Sequence, residues 1–265
     1  MARRANRTYR AIPSFYDDEY ADLDTLQHDV GFYLSKLPKR SQRVLSLACG
    51  TARDALPIAQ AGHRVVGVDV DADMLNIAKQ KRDSIGLTDD SLRLVRQNLL
   101  NLSLPGQRFD HACMLFNTFI VFTALAEQDR VLQRIHRHLK PGGTLCIDVF
   151  NPDSARVNEE REEDVAPMVF FSHELGRTVQ RVVTLWRDPT RPQVRHTRFD
   201  YAWHDDDGTP RRKRVEFENT WFYPRELQLL LERNGLEWIN AYGDHAGGPV
   251  TPDAPRVMAW AKRRR

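Results

Sequence analysis

Val44-Leu45-Ser46-Leu47-Ala48-Cys49-Gly50-Thr51-Ala52-Arg53-Asp54 decides the fold, read together with Asp69. Val44 to Ala48 is largely apolar without clean alternation, the pattern of a strand buried on both faces in a parallel sheet. The run breaks at Gly50. Thr51-x-x-Asp54 has capping-box spacing and predicts a helix opening near Asp54. Pro57 is tolerated there, because first-turn N–H groups have no helical partner. Gly62 ends the helix, and His63 to Val68 reads as a second buried strand that finishes on Asp69. Such a unit puts Gly where the backbone must approach a ligand, and a carboxylate where ribose hydroxyls can be met.

The wording around this unit narrows the reading. Ala48-Cys49-Gly50-Thr51-Ala52-Arg53, then Ala61-Gly62-His63-Arg64-Val65-Val66-Gly67-Val68-Asp69-Val70-Asp71-Ala72-Asp73-Met74-Leu75, resembles the class I S-adenosylmethionine-dependent methyltransferases. In that family the turn reads acid-x-Gly-x-Gly-x-Gly. Here only the central Gly50 matches, with Ser46, Ala48 and Ala52 at the other places. Ser46 removes a carboxylate that in the family usually helps hold the cofactor's amine end. Leu139-Lys140-Pro141-Gly142-Gly143-Thr144-Leu145 before a strand is an independent second match. Tyr242-Gly243-Asp244-His245, with Pro249 to Arg256 after it, is similar to the ending of the glycine/sarcosine and aminosugar N-methyltransferase group.

The resemblance implies an α/β fold: a three-layer sandwich with a mostly parallel seven-stranded sheet, its last strand antiparallel. It implies S-adenosyl-L-methionine as cofactor, no metal, and methyl transfer to a small-molecule acceptor, most readily an amine nitrogen. It maps cofactor binding onto Tyr16, Ala48, Cys49, Gly50, Thr51, Asp69, Val70, Met74, Asn98, Leu99, Leu115 and Phe116. Asn98 stands where the family usually has an acid at the adenine edge, and its carbonyl can accept the same hydrogen bond. Tyr16, Asn117 and His245 are the catalytic candidates, with Tyr242 and His173 as further groups able to orient an acceptor. Three other readings stay open. The departures at Ser46, Ala52 and Asn98 fit a non-catalytic binder, the basic ends an RNA methyltransferase, and the Asp69 logic a nicotinamide-dependent dehydrogenase without a full Gly-rich fingerprint.

Composition bounds these readings. The chain has 265 residues, 41% of them hydrophobic, and a formal net charge of +3, enough for one large core with a small second unit. No run is long enough to cross a bilayer and the N-terminus lacks the apolar core of a signal peptide, so a cytoplasmic location is expected. Cys49, Cys113 and Cys146 sit in or beside apolar runs at no metal spacing and are expected as buried thiols. Arg3, Arg4, Arg7 and Arg10 crowd one end and Lys262 to Arg265 the other. Without an aromatic-interleaved groove, these read as solvated tails, not as a nucleic-acid surface.

Tyr16-Asp17-Asp18-Glu19-Tyr20 looks like the aromatic-Asp-x-x-Tyr leader that forms a lid in small-molecule members of the family. An aromatic face beside a sulfonium cation gains about 1 kcal/mol. Leu26, Val30, Tyr33, Leu34 and Leu37 recur at helical spacing, predicting a helix from Asp24 to Leu37. A helix from Asp71 to about Ser84 follows the second strand, then strands Leu92–Val95, His111–Phe116 and Thr144–Val149, with a helix from Asp129 to Leu139 before the last. Ligands in open parallel sheets lie beyond the strands' carboxyl ends, so Asn117-Thr118-Phe119 should face the methyl group or the acceptor.

Residues 153–223 change character. The charged stretch Arg156 to Asp164 reads as helix or loop, and partly alternating runs at 178–186, 194–203 and 212–222 read as antiparallel strands. Asp206-Asp207-Gly208 is a hairpin signal. Residues 1–152 and 224–265 thus form the core with an N-terminal lid. Residues 153–223 form a small antiparallel insert that either roofs the active site, with His173 or a neighbouring Arg reaching inward, or makes a homodimer contact. A helix from Pro224 to Arg233 and strands Leu236–Tyr242 and Arg256–Ala261 close the chain.

Overall fold

The computed structural model describes residues 15–21, 24–153 and 157–264. The basic N-terminal cluster, Arg156, Arg265 and the side chain of Leu26 lie outside them. The main sheet holds β1 (Arg43–Leu47), β2 (Arg64–Asp69), β3 (Leu92–Arg96), β4 (Phe109–Met114), β5 (Leu139–Phe150), β10 (Leu236–Tyr242) and β11 (Arg256–Arg263). Its order is β10-β11-β5-β4-β1-β2-β3, and β11 runs antiparallel to both neighbours. Ser46 registers against Gly67 on one side and Cys113 on the other, so the deciding stretch is an inner strand of the sheet.

Among the described residues the helices that accompany it are α1 (Tyr16–Tyr20), α2 (Asp24–Ser35), α3 (Ala55–Gln60), α4 (Ala72–Ser84), α5 (Leu125–His138) and α6 (Pro224–Arg233). Leu45, Leu47 and Val68 face α5 and α6 through Val131, Ile135, Leu227 and Leu231. Val44 and Val65 face α2, α3 and α4 through Tyr33, Ile58 and Ala78. Helices on both faces explain why these strands read as continuous apolar runs, each buried aliphatic side chain contributing about 1.5–3 kcal/mol. All three cysteines are buried and free.

β6 (Arg161–Ser172), β7 (Arg177–Arg187), β8 (Val194–His204) and β9 (Pro210–Thr220) form a separate four-stranded antiparallel sheet. Val179, Arg181 and Val183 share its inner face, as their spacing predicts, and Phe15 seats there with its ring 5.9 Å from Phe170 and 5.2 Å from Tyr201. The turn between β8 and β9 falls at Asp205–Thr209, where the hairpin signal stands.

Several boundaries differ from the sequence reading. The charged stretch becomes strand from Arg161 onward, because β6 pairs with β7 through two register shifts and bends at Asp164 and Ala166, both at positive φ. Lys140 to Gly143 belong to β5 instead of closing α5, and Gly142 at φ +77° lies where the register with β4 shifts. The capping box at Thr51 does not form. Asp54 stands at the N-cap with no side-chain bond to the helix, since its carboxylate and the Thr51 hydroxyl both have partners elsewhere.

Candidate active site

The turn after β1 is built from alternate left-handed residues: Ala48 at φ +53°, Gly50 at φ +53° and Ala52 at φ +63°. Left-handed backbone costs a residue with a Cβ about 1–2 kcal/mol, so the two alanines are held there by their surroundings. A Cβ on Gly50 would meet nothing within 4 Å, so the chain leaves that face of the turn open. Gly67 on β2 lets the turn lie close, because a Cβ there would stand 2.9 Å from Cys49 Sγ.

Asp69 ends β2, 9% exposed, under this turn. Its Oδ2 accepts from Gly50 N at 2.8 Å and its Oδ1 from Asp71 N at 2.9 Å. Burial pushes the Asp69 carboxyl up, and these backbone N–H groups counter it. Asp71 caps α4 by accepting from Asp73 N and Met74 N, which sets the buried Met74 and half-buried Val70 beside Asp69. Past β3, Asn98 is half-buried and its carbonyl accepts from Leu100 N at 2.9 Å, capping a short 3-10 turn that buries Leu99.

α1 reaches this region through three consecutive acids, Asp17, Asp18 and Glu19. Asp17 Oδ1 accepts from Thr51 Oγ1 at 2.6 Å, and its Oδ2 from Lys81 Nζ of α4 at 2.9 Å. Asp18 accepts from the His173 backbone N at 2.9 Å and faces its Nδ1 at 2.8 Å. Glu19 is buried, paired with Arg181, and accepts from Tyr201 OH at 2.9 Å. Burial pushes the Glu19 carboxyl up even against Arg181. Tyr16 and Tyr20 lie edge to face at 4.9 Å, Tyr20 and Phe116 at 5.1 Å, and the Arg53 guanidinium lies 5.3 Å from the Phe116 ring centre.

Beyond β4, with Leu115 buried, Phe116 (φ +53°) and Asn117 (φ +60°) form a second left-handed turn. Asp148 of β5 holds it: its Oδ2 accepts from Phe116 N at 3.2 Å and its backbone O from Asn117 N at 3.0 Å. Asn117 Oδ1 accepts from Phe150 N at 2.7 Å, so this side chain braces the turn. Arg256 Nε donates to Asp148 Oδ1 at 2.9 Å, and His245 Nε2 lies 3.9 Å from Oδ2. Burial pushes the Asp148 carboxyl up, but Arg256 and His245 outweigh it and hold it below the usual carboxylate range.

Among the candidates, the structure brings Tyr16, Cys49, Gly50, Thr51, Asp69, Phe116 and Asn117 to one end of the sheet, with His245 behind the Phe116 turn. Two auxiliary candidates lie elsewhere. Tyr242 packs its ring 5.0 Å from Phe32 of α2, and the His173 side chain is 81% exposed, so Arg181 and not His173 reaches inward from the insert. Asp148 and Arg256 were missed by sequence reasoning. The strand-end acid in Ile147-Asp148-Val149 was the only available signal, because its partners stand 32 and 108 residues away.

Residues 44–143 match a methyltransferase domain family. The chain is 28% identical, over 265 residues, to the cypemycin N-terminal methyltransferase of a Streptomyces species, covering 95% of this chain and 98% of that one. It is 34% identical over 134 residues to the demethylmenaquinone methyltransferase of Thermus thermophilus, covering 50% of this chain and 56% of the relative. In fold it is similar to the CcbJ methyltransferase from Streptomyces caelestis (TM-score 0.75, 21% identity, 96% and 99% coverage). It is also similar to the sugar N-methyltransferase KedS8 from Streptoalloteichus (TM-score 0.70, 22% identity, 95% and 92% coverage). With the parallel sheet, the turn at Gly50 and Asp69 below it, these matches identify the chain as a class I S-adenosylmethionine-dependent methyltransferase. S-adenosylmethionine is its cofactor, and the open face of Gly50 above a buried strand-end carboxylate fits it. Among the described residues no helix is long and apolar enough to cross a membrane.

Proposed function

We propose that the enzyme methylates an amine nitrogen of a small-molecule or peptide acceptor. The observation that carries this is the aromatic wall of Tyr16, Tyr20 and Phe116, tied to the Gly50 turn by the Thr51–Asp17 bond. Aromatic faces attract cationic nitrogen and sulfur centres. The names of the near-full-length relative and of one structural neighbour, an N-terminal and a sugar N-methyltransferase, support nitrogen as the acceptor atom.

In this reading Asp69 receives the ribose hydroxyls and Gly50 lies against the amino-acid end. Asn98 and Leu99 stand at the adenine edge, and Val70, Met74 and Leu115 shape the walls. When bound, S-adenosylmethionine supplies a methyl group already attached to a good leaving group. The residues then have to align acceptor and methyl carbon and exclude water, a contribution of up to about 7–11 kcal/mol in well-oriented reactions. Tyr16 lies on the wall itself, Asn117 braces the turn that presents Phe116, and His245 supports Asp148. The insert roofs the acceptor through α1, with Arg181 and Tyr201 gripping Glu19.

The test is transfer of labelled methyl groups to a peptide with a free N-terminus, an aminosugar, their N-acetylated forms and bulk RNA. Label in the free amines and not in the acetylated forms is expected. Label confined to RNA or to hydroxyl groups overturns the reading, and tight cofactor binding with no transfer to any acceptor favours a non-catalytic binder.

A further inference from the structure

Phe116 at φ +53° and Asn117 at φ +60° stand side by side in left-handed backbone. For a bulky residue this conformation is an outlier that persists only where the surroundings over-determine it, and such outliers gather at functional sites. The surroundings here are two residues of β5. Asp148 accepts from Phe116 N through its side chain and from Asn117 N through its backbone oxygen, and Phe150 N donates to Asn117 Oδ1. The turn so clamped carries the Phe116 ring to Tyr20, edge to face, and to the Arg53 guanidinium.

Asp148 is placed to act through the chain and not on a ligand, since it is 1% exposed. Its Oδ1 lies 2.9 Å from Arg256 Nε and 2.8 Å from Nη2. Its Oδ2 holds Phe116 N at 3.2 Å, with His245 Nε2 3.9 Å away. Arg256 belongs to β11, so the buried carboxylate is a strut between that strand and the turn after β4. We propose that Asp148 is a positioning residue for methyl transfer: anchored by Arg256, it locks Phe116 in the left-handed turn and so fixes the ring against which the acceptor is aligned. The inference rests on the reading of Tyr16, Tyr20 and Phe116 as the acceptor wall given above. A misplacement of about 1 Å can cost about a hundredfold in rate, so loss of the strut should fall on the transfer step and spare binding.

The test replaces both ends of the strut, Asp148→Leu with Arg256→Met, and follows labelled methyl transfer to a peptide with a free N-terminus and to an aminosugar. An apolar pair of similar volume in place of a buried ion pair is often neutral for folding, yet it leaves Phe116 N without its acceptor. The expected result is a fall in kcat of about ten- to a hundredfold, with KM for the amine and calorimetric affinity for S-adenosylhomocysteine each changed by less than about twofold. Unchanged kcat in the folded variant overturns the proposal, because the strut would then serve the fold alone. A loss confined to KM or to cofactor affinity overturns it as well. Should the pair not fold, Arg256 decides: Arg256→Gln, which drops the charge opposite Asp148, should lower kcat about tenfold, and Arg256→Lys, which keeps it, by less than about threefold. Equal kcat in these two variants overturns the proposal. If the unmodified protein labels no free amine, the acceptor reading fails and takes this inference with it, whereas a kcat unmoved by the variants leaves that reading standing.

Discussion

The seven-stranded core and the four-stranded insert both hold α1, by unlike means. The core grips it through Asp17, bonded to Thr51 and paired with Lys81, and this pair is over a third exposed on each side. The insert grips it through Glu19, paired with Arg181 where the two side chains are 0% and 6% exposed, and through Phe15 under Phe170 and Tyr201. Exposed pairs are screened and contribute little, whereas a buried pair is strongly destabilising to break. α1 therefore belongs mechanically to the four-stranded sheet, and its contact with the turn at Gly50 is the weaker seam.

Breaking the strong side gives the largest expected effect. Glu19→Ala leaves the Arg181 charge buried without a partner and should cost about 3–5 kcal/mol of stability in a denaturant melt. A loss below about 1 kcal/mol would mean that the insert does not own α1. On the core side, Asp69→Ala should weaken S-adenosylmethionine about ten- to a hundredfold in calorimetry, or about 1.5–3 kcal/mol. The same variant leaves Gly50 N and Asp71 N without an acceptor, so its melting temperature should also fall. Unchanged affinity would move the cofactor away from this strand end. Ala48→Gly relieves a left-handed residue and should raise stability by up to about 1 kcal/mol, net of glycine's extra chain entropy. A destabilised variant would show that the Ala48 methyl is packed to advantage. Smallest of all, His173→Ala should shift stability by less than about 1 kcal/mol, because the ring is 81% exposed where it meets Asp18. A larger shift would give the insert a second strong grip on α1.

How much was legible follows from the range of the interactions. The β1–turn–α3–β2 unit, the strand after Pro141-Gly142-Gly143 and the β8–β9 hairpin were readable, because apolar runs and turn residues act over short stretches. β6 was not, since Arg161-Glu162-Glu163-Asp164 carries the charge of a loop and becomes strand only by pairing with β7. The capping box failed for the same reason: Thr51 is claimed by Asp17, 34 residues earlier, and Asp54 by Ser46 across the turn. In the site, Gly50 and Asp69 stood out by spacing and wording. Asp148 did not, because an acid at a strand end is ordinary until Phe116 N, Arg256 and His245 converge on it.

The three adjacent acids of α1 turn to different owners within about one helical turn. A helix rotates about 100° per residue, so the spacing of this stretch carries information that its letters do not. Exchange of any one acid removes only that acid's own two contacts, but deletion of a single residue between Phe15 and Glu19 would rotate the whole set. The acid destined for Lys81 would then meet the sheet, and the buried one would meet water. The segment should be permissive to conservative replacement at Asp18 and intolerant of any change in length, an asymmetry that a scan of single-residue deletions would expose at once.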